Sequence, residues 1–155
     1  TRGILAEFIV ASALGIEKGI RNEWDSYDIT DHDGTRVEVK TSAYLQSWAQ
    51  SDFSKINFDI RPSRKWRAET GKYDDNAIRQ NDIYAFCLLR HKDKETVDPM
   101  DLDQWIFYIL PTIILNEKMK SQKSLSLGKL LKLNPEECKF EDIRAVINKL
   151  KSDPS

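Results

Sequence analysis

The sequence predicts an α/β or α+β domain: one sheet packed by helices. Three observations carry this. The chain opens on an apolar run without strand alternation, continues through a β-branched meander and two short, almost wholly apolar stretches, and closes on an amphipathic segment. Elements in that order pack as layers, because each has an apolar face that only a neighbouring element can cover. With 155 residues, the chain has the size of one domain with one substantial core. Residues 1–155 are therefore expected to form a single domain, with 151–155 as a flexible tail.

Taken in order, Ile4 to Leu14 ("ILAEFIVASAL") is apolar almost all the way round and stops before Gly15, which predicts a buried first helix. Glu7 lies inside it, with Ile4, Val10, Ala11 and Leu14 on the adjoining turns. A carboxylate on that surface needs a partner such as Arg2, since desolvating an unpaired charge is very costly. The stretch "YDITDHDGTRVEVKTS" then reads as a hairpin turning at His32, Asp33 and Gly34. A three-residue loop with a left-handed Gly34 pairs Asp31 with Thr35 and, counting back, Ile29 with Val37 and Asp28 with Glu38. A two-residue turn would instead set Asp28 opposite Val39. Ile56 to Ile60 is expected as a third strand, Asp82 to Arg90 as a central strand buried on both faces, and Trp105 to Leu110 as another. Ile143, Val146, Ile147 and Leu150 recur at helical spacing and predict the closing helix.

Composition narrows the function. A chain that is 40% hydrophobic and 32% charged is that of a soluble globular protein. Its longest apolar run, Trp105 to Leu115, is too short for a bilayer and is broken by Pro111, so no membrane partner is expected. Cys87 and Cys138 make a poor disulfide framework, which points to a reducing cytoplasm. A net charge of -1, from 24 basic and 25 acidic residues, argues against non-specific coating of nucleic acid. Any such contact must be a local patch. The candidate is "RPSRKWR", where Arg61, Arg64, Lys65 and Arg67 surround Trp66; its plainer reading is a solubilising loop.

The hexapeptide "VEVKTS" carries the chemistry. Glu38 and Lys40, two apart on a strand, share one face, while Val37 and Val39 share the other. The plain reading is an exposed ion pair of little energetic weight. Against it stands the hairpin register: Asp28 opposite Glu38 places like charges face to face, which destabilises a sheet unless a cation lies between them. Asp28, Glu38 and Glu7 are hard oxygen donors suited to Mg²⁺ or Mn²⁺. With only His32 and His91 in the chain, a histidine-metal enzyme is not expected. A metal held by Asp28 and Glu38 would polarise a phosphodiester and acidify a bound water, with Lys40 orienting that water or offsetting phosphorane charge.

Asp28, nine intervening residues and then Glu38-Val39-Lys40 resemble the PD-(D/E)xK nuclease superfamily. Tyr27 stands where that family often has proline, and Glu7 resembles the accessory acid of many members. The strings "EVKTSAYLQSW" and "DIYAFCLL" are also similar to a group of uncharacterised bacterial proteins assigned to this fold. The resemblance implies a restriction-endonuclease-like mixed central sheet flanked by helices, with Asp28 and Glu38 as metal ligands and Lys40 as a catalytic residue. Ser42, on the Lys40 face, and Gln46 are possible accessories; Trp48 could line the groove. Arg79 and Asp82 flank the central strand; a structural ion pair is the first expectation and phosphate contact by Arg79 the second. Together these predict a nuclease dependent on Mg²⁺ or Mn²⁺ that hydrolyses phosphodiester bonds of DNA. The alternative is an inactive nuclease fold that binds nucleic acid or a protein partner. The near-neutral charge favours that alternative, or a nuclease that grips its substrate as a homodimer or with a further domain.

Overall fold

A computed structural model describes residues 2–16, 28–46, 52–64, 66–73 and 75–152. Helix α1 (Arg2–Ala13) leads into strands β1 (Asp28–Thr30), β2 (Arg36–Ala43), β3 (Asn57–Asp59), β4 (Trp66–Arg67), β5 (Lys72–Tyr73) and β6 (Ile83–Leu89). These are followed by β7 (Trp105–Pro111), α2 (Thr112–Lys118), β8 (Ser124–Ser126), α3 (Leu127–Lys132), β9 (Glu136–Cys138) and α4 (Ile143–Ser152). The central sheet has the order β1-β2-β6-β7-β9. Its β2–β6 pair is parallel and the others are antiparallel, which makes it the mixed, helix-flanked sheet expected.

Strand alternation divides the interior into two cores. Val37, Val39, Ala85, Cys87, Leu89, Trp105, Phe107 and Ile109 face α1 and α4. Tyr84, Phe86, Leu88, Ile106, Tyr108 and Leu110 face the other way and meet Phe58, Leu115, Leu125 and Leu130. Every residue of β6 and β7 is buried, as strands covered on both faces require. Cys87 and Cys138 are both free and lie in the first core; burial pushes the Cys138 thiol up to about 12.

The hairpin adopts the three-residue loop. Gly34 takes φ +90°, a conformation that favours glycine, and its N–H donates to the Asp31 carbonyl at 2.9 Å. Asp31 N–H donates to the Thr35 carbonyl at 2.8 Å, and the ladder pairs Asp28 with Glu38, Ile29 with Val37 and Thr30 with Arg36. The two-residue turn is thereby excluded.

Three expectations need correction. Helix α1 is not buried all round: Ile4 is 54% and Phe8 61% exposed, because a helix lying on a sheet buries only the stripe that faces it. The strand expected over Ile56 to Ile60 shortens to β3 and pairs with β8, outside the central sheet. Its alternation explains this, since Ile56, Phe58 and Ile60 enter the second core while Asn57 and Asp59 are exposed, so the segment lies over the sheet as a lid. Lys151 and Ser152, assigned to the tail, belong to the last turn of α4.

Lys151 ties that helix to the hairpin loop, bonding the Asp31 carboxylate and lying 3.2 Å from Asp33 Oδ2. The Thr35 N–H and hydroxyl, with Lys151 behind them, hold Asp33 down from 3.8 to about 2. Burial works to raise Asp31, yet the bonds from Lys151 and the His32 N–H outweigh it and leave that carboxyl below its ordinary value. The Lys151 ammonium is raised, because its two carboxylate partners outweigh burial. Depressed carboxyls stabilise the fold above their unfolded pKa and lose that contribution as pH falls through the folded one. The raised lysine keeps its share until pH climbs past its own raised value. Lys151→Met is therefore expected to lower the urea midpoint at pH 7 and to do so much less near pH 2, where Asp33 is about half protonated. An equal loss at both pH values would show that the tie is not electrostatic.

Candidate active site

Strand β2 sets its even-numbered residues on the face away from α1, towards the second core. There Lys40 Nζ lies 3.2 Å from Glu38 Oε1, and the second oxygen, Oε2, accepts a hydrogen bond from Asn81 Nδ2. Glu38 is only 9% exposed, while the Lys40 side chain keeps 26% of its surface. This is not the solvated ion pair of an outer strand face. The two residues lie in a cleft of about 270 Å³ whose other walls include Asp59, Arg61, Asn81 and Tyr84.

Both neighbours of β2 converge on Glu38. On one side the antiparallel ladder sets residue 28 directly opposite it, on the same face of the sheet. On the other, the parallel ladder pairs it with Tyr84. The start of β6 is pinned to the start of β2 twice: Arg36 N–H donates to Asp82 Oδ2 at 2.9 Å, and Asp82 N–H returns to the Arg36 carbonyl at 2.9 Å.

The expected Arg79–Asp82 ion pair does not form. Asp82 is taken by Arg36 N–H, whereas the buried Arg79 donates to the carbonyls of Ile60 (2.8 Å), Lys120 (2.6 Å) and Gln122 (2.9 Å) and to Asn116 Oδ1 (2.9 Å). Arg79 turns inward to oxygens at the end of β3, in α2 and just beyond it, the bond to the Ile60 carbonyl being buried and the other three part-buried.

The basic segment is split by the fold. Arg61 lines the cleft, its N–H held by Asp59 Oδ1 at 2.9 Å. Arg64 stands over the Tyr73 ring, 5.7 Å from its centroid, and Arg67 lies on β4 opposite Lys72 of β5. The ribbon is closed at its root by Ser63 and Ile78, which exchange backbone bonds of 3.0 and 2.9 Å. Lys65, Trp48 and the side chains of Asp28 and Trp66 lie outside the described residues.

Glu7, 1% exposed, is carried by a helix on the Val37–Val39 face of β2 and does not line this cleft. Neither do Ser42, half-buried on the Lys40 face, and Gln46, whose amide receives Arg2 Nη1 and donates to the Ala43 carbonyl, both at 3.0 Å. Asn81, Tyr84 and Asp59 escaped sequence reasoning. The polar triplet "QND" immediately before an apolar strand is the signal that could have marked Asn81, since polar residues at a strand's entrance meet whatever its neighbour's start presents.

Among the described residues no three His, Cys, Asp or Glu side chains gather as a complete metal cage. No helix among them is long and apolar enough to cross a membrane. Residues 1–129 match the family model described as Bacteriophage T4 endonuclease IV. All the cleft residues named above fall within that span. Neither the curated proteins nor the solved structures offer a match.

Proposed function

Since the chain belongs to the Bacteriophage T4 endonuclease IV family, we propose that it is a divalent-metal-dependent nuclease of PD-(D/E)xK type that hydrolyses phosphodiester bonds of DNA. The observation that carries this reading is the opposition of Asp28 and Glu38 across the β1–β2 ladder, with Lys40 3.2 Å from Glu38. A fold that tolerates two acids at directly opposed positions is compensated when a cation joins them.

The donor set fits Mg²⁺ or Mn²⁺. Magnesium is held by one or two carboxylates together with water and substrate phosphate rather than by a full protein cage. Asp28 and Glu38 would hold the ion, and when bound it would acidify a water and polarise a phosphoryl oxygen. The chain's own residues do the rest. Lys40 brings a positive charge next to Glu38, where it can offset the charge that grows on the phosphorane oxygens. Arg61, at the wall of the same cleft, gives an entering phosphate a second cation. Arg64, Arg67 and Lys72 extend that basic surface along the ribbon, so a chain of nearly balanced net charge still offers nucleic acid a local grip.

The test is nicking of supercoiled plasmid by the purified protein. Cleavage is expected with Mg²⁺ or Mn²⁺, none in excess chelator, and none from Glu38→Ala. Cleavage that persists in chelator would overturn the metal-dependent mechanism.

A further inference from the structure

We infer that Asn81 is a positioning residue for the metal-binding carboxylate, an inference that rests on the function proposed above. Glu38 and Asn81 are both at least nine-tenths buried, being 9% and 8% exposed. The Asn81 amide donates to Glu38 Oε2 while Lys40 lies against Oε1. The carboxylate is thus fixed from two sides, and its rotation about the last side-chain bond is removed before any ion or substrate arrives.

The amide can do this because its own backbone is held on both sides. Two residues earlier, Arg79 anchors the chain through four hydrogen bonds to segments at the end of β3, in α2 and just beyond it. One residue later, Asp82 is locked to Arg36 through its carboxylate and its N–H, and its carbonyl accepts Thr112 N–H at 3.0 Å. Asn81 therefore sits on a short span between two fixed points, at the floor of the cleft that Glu38, Lys40 and Arg61 share. A donor so placed costs little entropy to keep in position, and a preset ligand orientation is what a partner of a metal-binding carboxylate contributes. Lys40 alone would leave Oε2 without this donor, and a carboxylate free to turn holds an ion less tightly.

Isothermal calorimetry of Mn²⁺ binding to the full chain tests this with wild type, Asn81→Leu, which keeps bulk but loses the donor, and Asn81→Ala. Loss of an outer-shell partner typically weakens metal affinity 10- to 100-fold. That drop is expected in both variants, with native circular dichroism. Variants that bind Mn²⁺ like wild type would overturn the role of Asn81 and leave the nuclease reading intact. Failure of the wild type to bind Mn²⁺ would instead remove that reading, and the Asn81 role with it. Should the leucine variant not fold, alanine decides; loss of fold in both would make Asn81 a residue of the fold, against the positioning role.

Discussion

Lys40→Met is expected to leave the protein folded and able to bind Mn²⁺ while plasmid cleavage falls by about two to three orders of magnitude, since one well-placed electrostatic group is worth roughly 3 kcal/mol in a transition state. Two interpretations of the same side chain forecast opposite results. Were Lys40 only the partner of Glu38 on a wet surface, its loss would cost about 1 kcal/mol of stability or less and spare the activity. Its setting argues otherwise: the ammonium lies in the cleft, against a carboxylate that is almost wholly buried. Charges in such a setting act on one another more strongly than on an open strand face. Glu38→Ala separates the roles, because it removes a proposed ligand and should weaken both Mn²⁺ affinity and cleavage, whereas Lys40→Met should weaken cleavage far more than it changes Mn²⁺ affinity. Equal cleavage by all three proteins would place the activity elsewhere. A wild type that binds DNA and never cuts it would favour the inactive binding module.

The second large effect is structural. Arg79→Met is expected to destabilise the fold by about 2 kcal/mol or more, read as a lower urea midpoint with an unchanged slope. Methionine fills most of the space, but it leaves three carbonyls and the Asn116 oxygen without their donor. The buried Ile60 acceptor so abandoned costs about 1–3 kcal/mol, while the other three bonds are part-buried and water takes over much of their share. Arg79→Lys should recover little, because one ammonium cannot span the fork that guanidinium geometry satisfies. The segment that loses its anchor is the one that delivers Asn81 and Arg61 to the cleft, so cleavage should fall with stability. A cost below about 1 kcal/mol would mean that solvent replaces the arginine.

What the sequence determined by itself was local. Turn chemistry narrowed the hairpin to two registers, of which the structure adopts the three-residue loop that sets Asp28 opposite Glu38. Alternation placed Glu38 and Lys40 on one face, unbroken apolarity marked β6 and β7 as the buried centre, and helical spacing identified α4. Contacts between distant segments could not be read in the same way. Whether Ile56 to Ile60 joined the central sheet depended on which surface its apolar face met, and the partner proved to be β8. Asn81 reached Glu38 only because β6 lies parallel to β2, a pairing that no local signal specifies. Arg79 turned away from Asp82 because backbone oxygens from separate layers converged on it, and the basic segment divided between cleft and ribbon because Ser63 met Ile78. Turn geometry and periodicity are written into neighbouring residues, whereas these choices depend on which buried polar groups must find partners once the layers close, and only the tertiary structure decides that.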